Sequence, residues 1–394
     1  MTDRATDVRA VAARAMQALR SGDARGAREG LKQALEATPS DPGLWLNLAL
    51  AERALDDNDA ELAAIEKGLA LDPRSLVGLL LKGDWYERHG RARDAGAAFT
   101  AALQVAPPFE HLPGELKAPV HHAWEVSQTH AREREAFLRR FVADAADRMG
   151  DDQRDRFDEA MDIMLGKKAV YRQQPHVLFW PGLPTIQFFD RRLFPFLDPV
   201  EAATDAIREE AIKVLAADQG LDPYINYPDS TPLDQWRELN RSLDWSAYHL
   251  VKDGRRIDAH CAACPDTMQA LADVPGPRIG KHCPVTMFSV LKPRTRIPPH
   301  TGVTNARLVV HLPLIVPPDC VYRVGNDARE WVEGKAWVFD DTIEHEAQNN
   351  SDRVRVVLIF DVWNPFLREA EKPLVDTIIS GLDAFGDEAA KAEW

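Results

Sequence analysis

The stretch PPHTGVTNARLVVHLPLIVPP, residues 298–318, sets the reading of this chain. It holds His300, Arg307 and His311 beside a run of β-branched residues closed by prolines. Residues of that kind, stiff at the β-carbon and bounded by turn formers, fit a pleated, half-buried strand. Similar short runs surround it: HVLFW (176–180), TMFSVL (286–291), CVYRV (320–324), REWV (329–332), KAWVFDD (335–341) and RVRVVLIFDVW (353–363). Glu333-Gly334 between two of them has the look of a tight hairpin. Many short strands predict a sandwich or barrel, with the helical text at 198–218 packed on one face.

The first hundred residues read differently. Pro39, Pro73 and Pro107 recur every 34 residues, the period of a two-helix tetratricopeptide repeat. Counting back from Pro107, Gly83, Tyr86, Ala95, Phe99 and Ala102 fill its small and aromatic packing positions. Trp45, Leu48, Ala49 and Ile65 match in the middle unit, from which Glu52 and Glu61 depart, and Ala15, Ala27, Leu31 and Ala34 in the first. Stacked units of this type present a concave surface suited to a peptide or another subunit. The segmentation expected is a repeat domain at 1–108, a helical linker at 109–175, the strand-rich domain at 176–370 and a helical tail at 371–394. In the linker, His121 and His122 read as surface or capping residues.

A formal charge of −14 argues against nucleic-acid or anionic-membrane partners, which select basic patches. No apolar run reaches membrane-spanning length and the N-terminus lacks a signal-peptide core, so a cytoplasmic protein without membrane insertion is expected. Cys261 and Cys264 form a C-x2-C that could hold zinc with Cys283 and His260 or His282. Without a second such pair, reduced thiols are the expected state.

Chemistry concentrates in the strands. His300 precedes one and His345 follows another, so both imidazoles could converge on a metal at a barrel mouth. Arg355 interrupts an apolar strand, where a permanent cation is costly unless an anion meets it. Two histidines and a buried arginine outline a ferrous oxygenase using 2-oxoglutarate.

The runs MFSVLKPRTRIPPHTGVTNARLVVHLPLIVP and WVFDDTIEHEAQNNSDRVRVVLIFDVWNP, with FWPGLPTIQFFDRRLFPFL upstream, resemble the aspartyl/asparaginyl β-hydroxylase family over roughly residues 176–367. The resemblance implies a double-stranded β-helix domain that binds iron(II) through His300 and His345. Gly302 then stands where related oxygenases carry a carboxylate, in keeping with an H-x-G pattern. It further implies that Ser289 and Arg355 hold the distal carboxylate of 2-oxoglutarate and that His311 contacts its proximal end. Arg307 is retained near that clamp, whereas Val309 replaces an arginine of the family. Asp340, Asp341, Glu344 and Glu346 are expected not to bind metal, and Asp361 and Trp363 to be architectural. The implied activity is hydroxylation of an Asp- or Asn-type side chain in a peptide or protein. Alternatives are a free amino acid, small peptide or lipid acyl chain, or a non-catalytic repeat scaffold.

Overall fold

The computed structural model describes residues 2–217, 220–228 and 230–392, in two compact units that divide between Lys167 and Lys168. The first is entirely helical: α1 (Thr2–Arg20), α2 (Ala24–Ala37), α3 (Pro42–Ala54), α4 (Asn58–Leu71), α5 (Leu76–Arg88), α6 (Ala92–Val105), α7 (Gly114–Ala146) and α8 (Asp151–Met164). Short polar side chains start these helices by accepting orphan backbone N–H groups: Asp23 from Gly26, Asp41 from Gly43, Asp57 from Ala60 and Ser75 from Gly78. Helices α2, α4 and α6 begin at 24, 58 and 92, so the 34-residue period is structural as well as textual. Gly83 is small because a β-carbon there would sit 2.5 Å from the Phe99 ring. The departures from the repeat pattern have partners: buried Glu61 accepts from Arg53 at 2.8 Å and Arg88 at 2.6 Å, and buried Glu52 pairs with Arg28 and Lys32.

The expected linker belongs mostly to this unit. α7 packs on α6, with the His130 ring filling the space beside Gly96. His121 and His122 sit on its exposed face, paired with Glu125 and Glu87, as their surface reading anticipated.

The second unit carries α9 (Asp198–Ala202), α10 (Thr204–Ala217), α11 (Asp258–Ala263), α12 (Pro265–Ala270) and α13 (Lys372–Ala392) around its strands. Asp218, expected within the helix at 198–218, lies outside the described residues, as do the last two residues of the tail. The strands are β1 (Asp222–Pro223), β2 (Trp245–Lys252), β3 (Arg255–Arg256), β4 (Thr286–Leu291), β5 (Thr295–His300), β6 (Arg307–Ile315), β7 (Cys320–Val324), β8 (Asp327–Glu330), β9 (Trp337–Phe339), β10 (His345–Asn349) and β11 (Arg355–Trp363). One antiparallel sheet runs β1-β2-β4-β11-β6-β9, with β3 on β2, and the other runs β5-β10-β7-β8. Successive strands from β4 to β11 thus divide between the two sheets, which is the double-stranded β-helix. Leu308, Val310, Leu312 and Leu314 of β6 and Val356, Leu358, Phe360 and Val362 of β11 meet Ile207, Ala211 and Val214 of α10 on the outer face. The alternate residues point between the sheets.

Three expectations need correction. HVLFW makes a single bridge, Leu178 to Thr304, and no strand. Glu333-Gly334 is not a hairpin, because β8 pairs with β7 in one sheet and β9 with β6 in the other. The turn is a crossover, pinned where Glu333 accepts from Val316 N–H at 2.8 Å and Gly334 donates to Pro313 O at 2.9 Å. Of the alternative zinc ligands, Cys261 and Cys264 are buried under α10, whereas Cys283 packs with Ile279 and Val375 in another cluster. Burial raises the Cys264 thiol to about 12, and all four cysteines are free. Finally, the strand domain begins at Lys168 rather than 176, because 169–174 bond along it. No helix of the described residues is long and apolar enough to cross a membrane.

Candidate active site

Side chains of β4, β6 and β11 that point inward form a ladder set by register. Ser289 lies opposite Val357, Ile359 sits between Met287 and His311, and Asp361 lies opposite Val309. All of these but Val357 line a cavity of about 540 Å³ that also takes in Arg355, Arg307, His300 and His345. Every residue expected at the site therefore reaches one chamber.

The histidines come from strands that the sequence pattern does not mark. His300 ends β5 and His345 opens β10, and the two are register partners with ring centroids 4.1 Å apart. β5 is an edge strand, which is why it tolerates Pro298 and Pro299. Each ring is aimed by its own backbone, with Nδ1 of His300 at 2.8 Å from Pro298 O and Nδ1 of His345 at 3.0 Å from Ile343 O. A carbonyl accepts only, so Nδ1 carries the proton and Nε2 keeps a lone pair. Burial lowers the imidazoles to about 3 and about 4, leaving both neutral at pH 7. Two neutral nitrogen donors suit a borderline divalent metal. Among the described residues no group of three or more His, Cys, Asp or Glu is arranged to hold an ion.

The acids around His345 are occupied elsewhere. Glu344 and Glu346 pair with Arg323, at 2.9 and 2.6 Å, and Glu346 also with Arg296. Asp340 accepts from Thr342 and from Gln173. Asp341 is nearer: its Oδ2 takes Arg307 Nη1 at 2.9 Å, and a β-carbon on residue 302 would lie 2.0 Å from that oxygen. Gly302 is thus required by the carboxylate packed against it.

Arg355 closes one end. It is buried, its Nη1 donates to Ser289 O and Oγ at 3.3 Å, and its guanidinium lies 5.0 Å from the Trp331 ring centroid. Among the described residues no carboxylate is within ion-pair reach of it, and its Nε has no acceptor. Burial lowers it to about 10, so it stays charged. Ser289 Oγ also accepts from Trp245 Nε1, which leaves its O–H to be donated inward. His311 sits between this end and the histidine pair, against Tyr322 and Phe339, with Nδ1 unpartnered.

Arg307, expected at the cosubstrate clamp, lines the same cavity. It is held by Asp341 and, at 3.4 Å, by Asp361, since a guanidinium this buried needs counter-charge. Asp361, read as architectural, lines the cavity as well as accepting from Val285 N–H. The mouth is aromatic and was not anticipated: Tyr224 stacks on Trp245 at 4.0 Å, and Trp236 meets the His300 ring edge-on at 5.2 Å. Its signal was available in WSAYHLVK, residues 245–252, whose apolar-aromatic text is β2.

A family model described as aspartyl/asparaginyl beta-hydroxylase matches residues 201–365. The human aspartyl/asparaginyl beta-hydroxylase is 35% identical over 170 residues, 42% of this chain and 21% of its own length. The ornithine lipid ester-linked acyl 2-hydroxylase of Rhizobium tropici is 34% identical over 180 residues, 45% of this chain and 60% of its own length. The matches thus span between about a fifth and three fifths of these relatives. In the helical unit, the Sgt2 TPR domain of Aspergillus fumigatus aligns with 32% of this chain and 82% of its own at 15% identity, with a TM-score of 0.28.

Proposed function

Since residues 201–365 belong to the aspartyl/asparaginyl β-hydroxylase family, we propose that the chain is an iron(II)- and 2-oxoglutarate-dependent hydroxylase. His300 and His345 would hold the metal through Nε2, and Arg355 with Ser289 would bind the far carboxylate of the cosubstrate. When bound, iron and 2-oxoglutarate supply, with dioxygen, the oxidation that turns a C–H into a C–OH as the cosubstrate becomes succinate and carbon dioxide.

The protein's own work is to position and to exclude. Backbone carbonyls fix the tautomer and aim of each histidine, so both lone pairs are in place before metal arrives. Trp331 stacks over Arg355 while Ser289 holds it from below, so the fork is set before the anion enters. His311, one rung nearer the histidines, would meet the cosubstrate's proximal end. Tyr224, Trp236 and Trp245 shield the chamber from water at its mouth. The substrate is read as an Asp- or Asn-type side chain of a peptide or protein, with the repeats recruiting it. An acyl chain is a second reading, favoured by the apolar wall of Val285, Met287, Val309 and Ile359 and by the likeness to the Rhizobium acyl hydroxylase.

One observation carries the cosubstrate: a buried arginine with no carboxylate partner among the described residues, in the same cavity as two neutral histidines. A charge-assisted hydrogen bond contributes about 1.5–3 kcal/mol. Arg355→Met is therefore expected to weaken 2-oxoglutarate binding roughly ten- to a hundredfold or more, at about 1.4 kcal/mol per tenfold. Iron affinity should hardly change. The check is a 2-oxoglutarate titration of the anaerobic iron(II) protein, read by its charge-transfer absorbance. An unmoved midpoint in the variant would remove Arg355 from the cosubstrate site.

A further inference from the structure

The chamber is uneven in charge. At the Ser289 end, Arg355 is a cation without a carboxylate among the described residues. At the other, one guanidinium, Arg307, is shared by Asp341 at 2.9 Å and Asp361 at 3.4 Å. All three side chains are at most 10% exposed, and one guanidinium against two carboxylates gives a formal charge of −1. Register keeps the ends apart: Ser289 is opposite Val357 and Val309 opposite Asp361, four residues along β11, roughly 13 Å at the rise of a strand. Between them stand Met287, Ile359 and the facing histidine pair.

Resting on the proposed function, we infer that the group oxidised here is uncharged at the Arg307 end, a carboxamide rather than a carboxylate in the Asp- or Asn-type reading. Val309 and the doubly paired Arg307 are its specificity determinants. A carboxylate laid against Val309 would face Asp361 across the register and Asp341 beyond Arg307. It would meet two like charges in a buried site, with no cation there among the described residues beyond Arg307, which they already share. Val309 itself offers only methyl groups. A carboxamide carries no charge and brings an N–H pair, and Asp341 Oδ1 is a buried acceptor without a partner. A site that hydrogen-bonds a donor discriminates strongly against an analogue lacking it.

The test is a calorimetric titration of the full-length, anaerobic iron(II) protein saturated with 2-oxoglutarate, using N-acetylasparagine amide and N-acetylaspartate amide as probes. The wild type is expected to bind the asparagine probe at least tenfold more tightly than the aspartate probe. Val309→Arg adds a cation at this end, and Asp361→Asn removes a carboxylate while keeping the acceptor for Val285 N–H. Each is expected to tighten aspartate binding at least tenfold, and a gain in either folded variant supports the inference even where the wild type takes neither probe. Equal or tighter aspartate binding by the wild type overturns it, as does the absence of any gain in both variants. A preceding 2-oxoglutarate titration of the same sample keeps the two claims apart. Protein that takes 2-oxoglutarate and prefers aspartate loses this inference alone; protein that takes none loses the cosubstrate reading as well.

Discussion

Gly302 shows how one residue can be legible in text and still be explained only in space. Its place two residues after His300 marks the H-x-G pattern. The fold supplies the reason, because the Asp341 carboxylate fills the volume that a side chain at 302 would need. Gly302→Ala must push Asp341 off Arg307 or shift the β5–β6 connection, and overpacking of this kind costs about 1–3 kcal/mol. A lower melting temperature with retained secondary structure is the expected outcome, measured by calorimetry and circular dichroism. His249 offers a test of acid sensitivity away from the histidine pair. Burial lowers it to about 4, against an ordinary value near 6.5. Between those values the unfolded chain binds the proton and the folded one does not, so stability falls as the pH drops from 6.5 toward 4. The shift corresponds to roughly 3 kcal/mol at most. His249→Phe should flatten that limb of a denaturation-versus-pH curve, and an unchanged slope would show that this ring does not set it.

At the level of elements, the strands β4, β6 and β11, buried on both faces, were among those that text revealed. β4 and β6 read as near-continuous apolar runs because α10 and the sheet interior both cover them. β5 and β10 did not, since TRIPPH and HEAQN are edge-tolerant or half-solvated sequences whose pairing depends on distant partners. What holds that sheet to its neighbour is Asn349, at the end of β10. The two N–H groups of its Nδ2 are shared among Leu291 O, Lys292 O and Arg353 O, and its Oδ1 accepts from Ser351 and Cys320, all buried or partly buried. Asn349→Ala would strand several buried partners at once and should cost about 2–4 kcal/mol. Urea titration would show it as a lower midpoint with an unchanged slope.

For the whole molecule, the division at Lys167–Lys168 makes the strand-rich unit separable. Residues 168–394 are expected to fold and bind 2-oxoglutarate with the affinity of the full chain. Starting at 176 instead removes Gln173, which donates to Asp340 at 2.6 Å, Gln174, whose N–H meets Thr342 O at 2.7 Å, and Tyr171, whose hydroxyl meets Arg323 at 3.2 Å. At about 1 kcal/mol for each bond and roughly 2–4 °C per kcal/mol in a unit of this size, the shorter form should melt about 6–12 °C lower. Differential scanning calorimetry of both forms decides it, and equal melting points would restore 176 as the boundary.

The sequence by itself determined the repeat period, the order of the helical and β-rich parts and the residue types at the site. Those depend on local spacing and on motifs carried within single segments. Only the tertiary structure decided that β5 and β10 place His300 against His345, and that Glu333-Gly334 crosses between sheets. The same holds for Arg307, which two carboxylates claim, and for Arg355, which none among the described residues does. Each is a pairing between residues far apart in the chain. Register and burial set such pairings, because a buried charge takes whichever counter-charge the fold brings within reach.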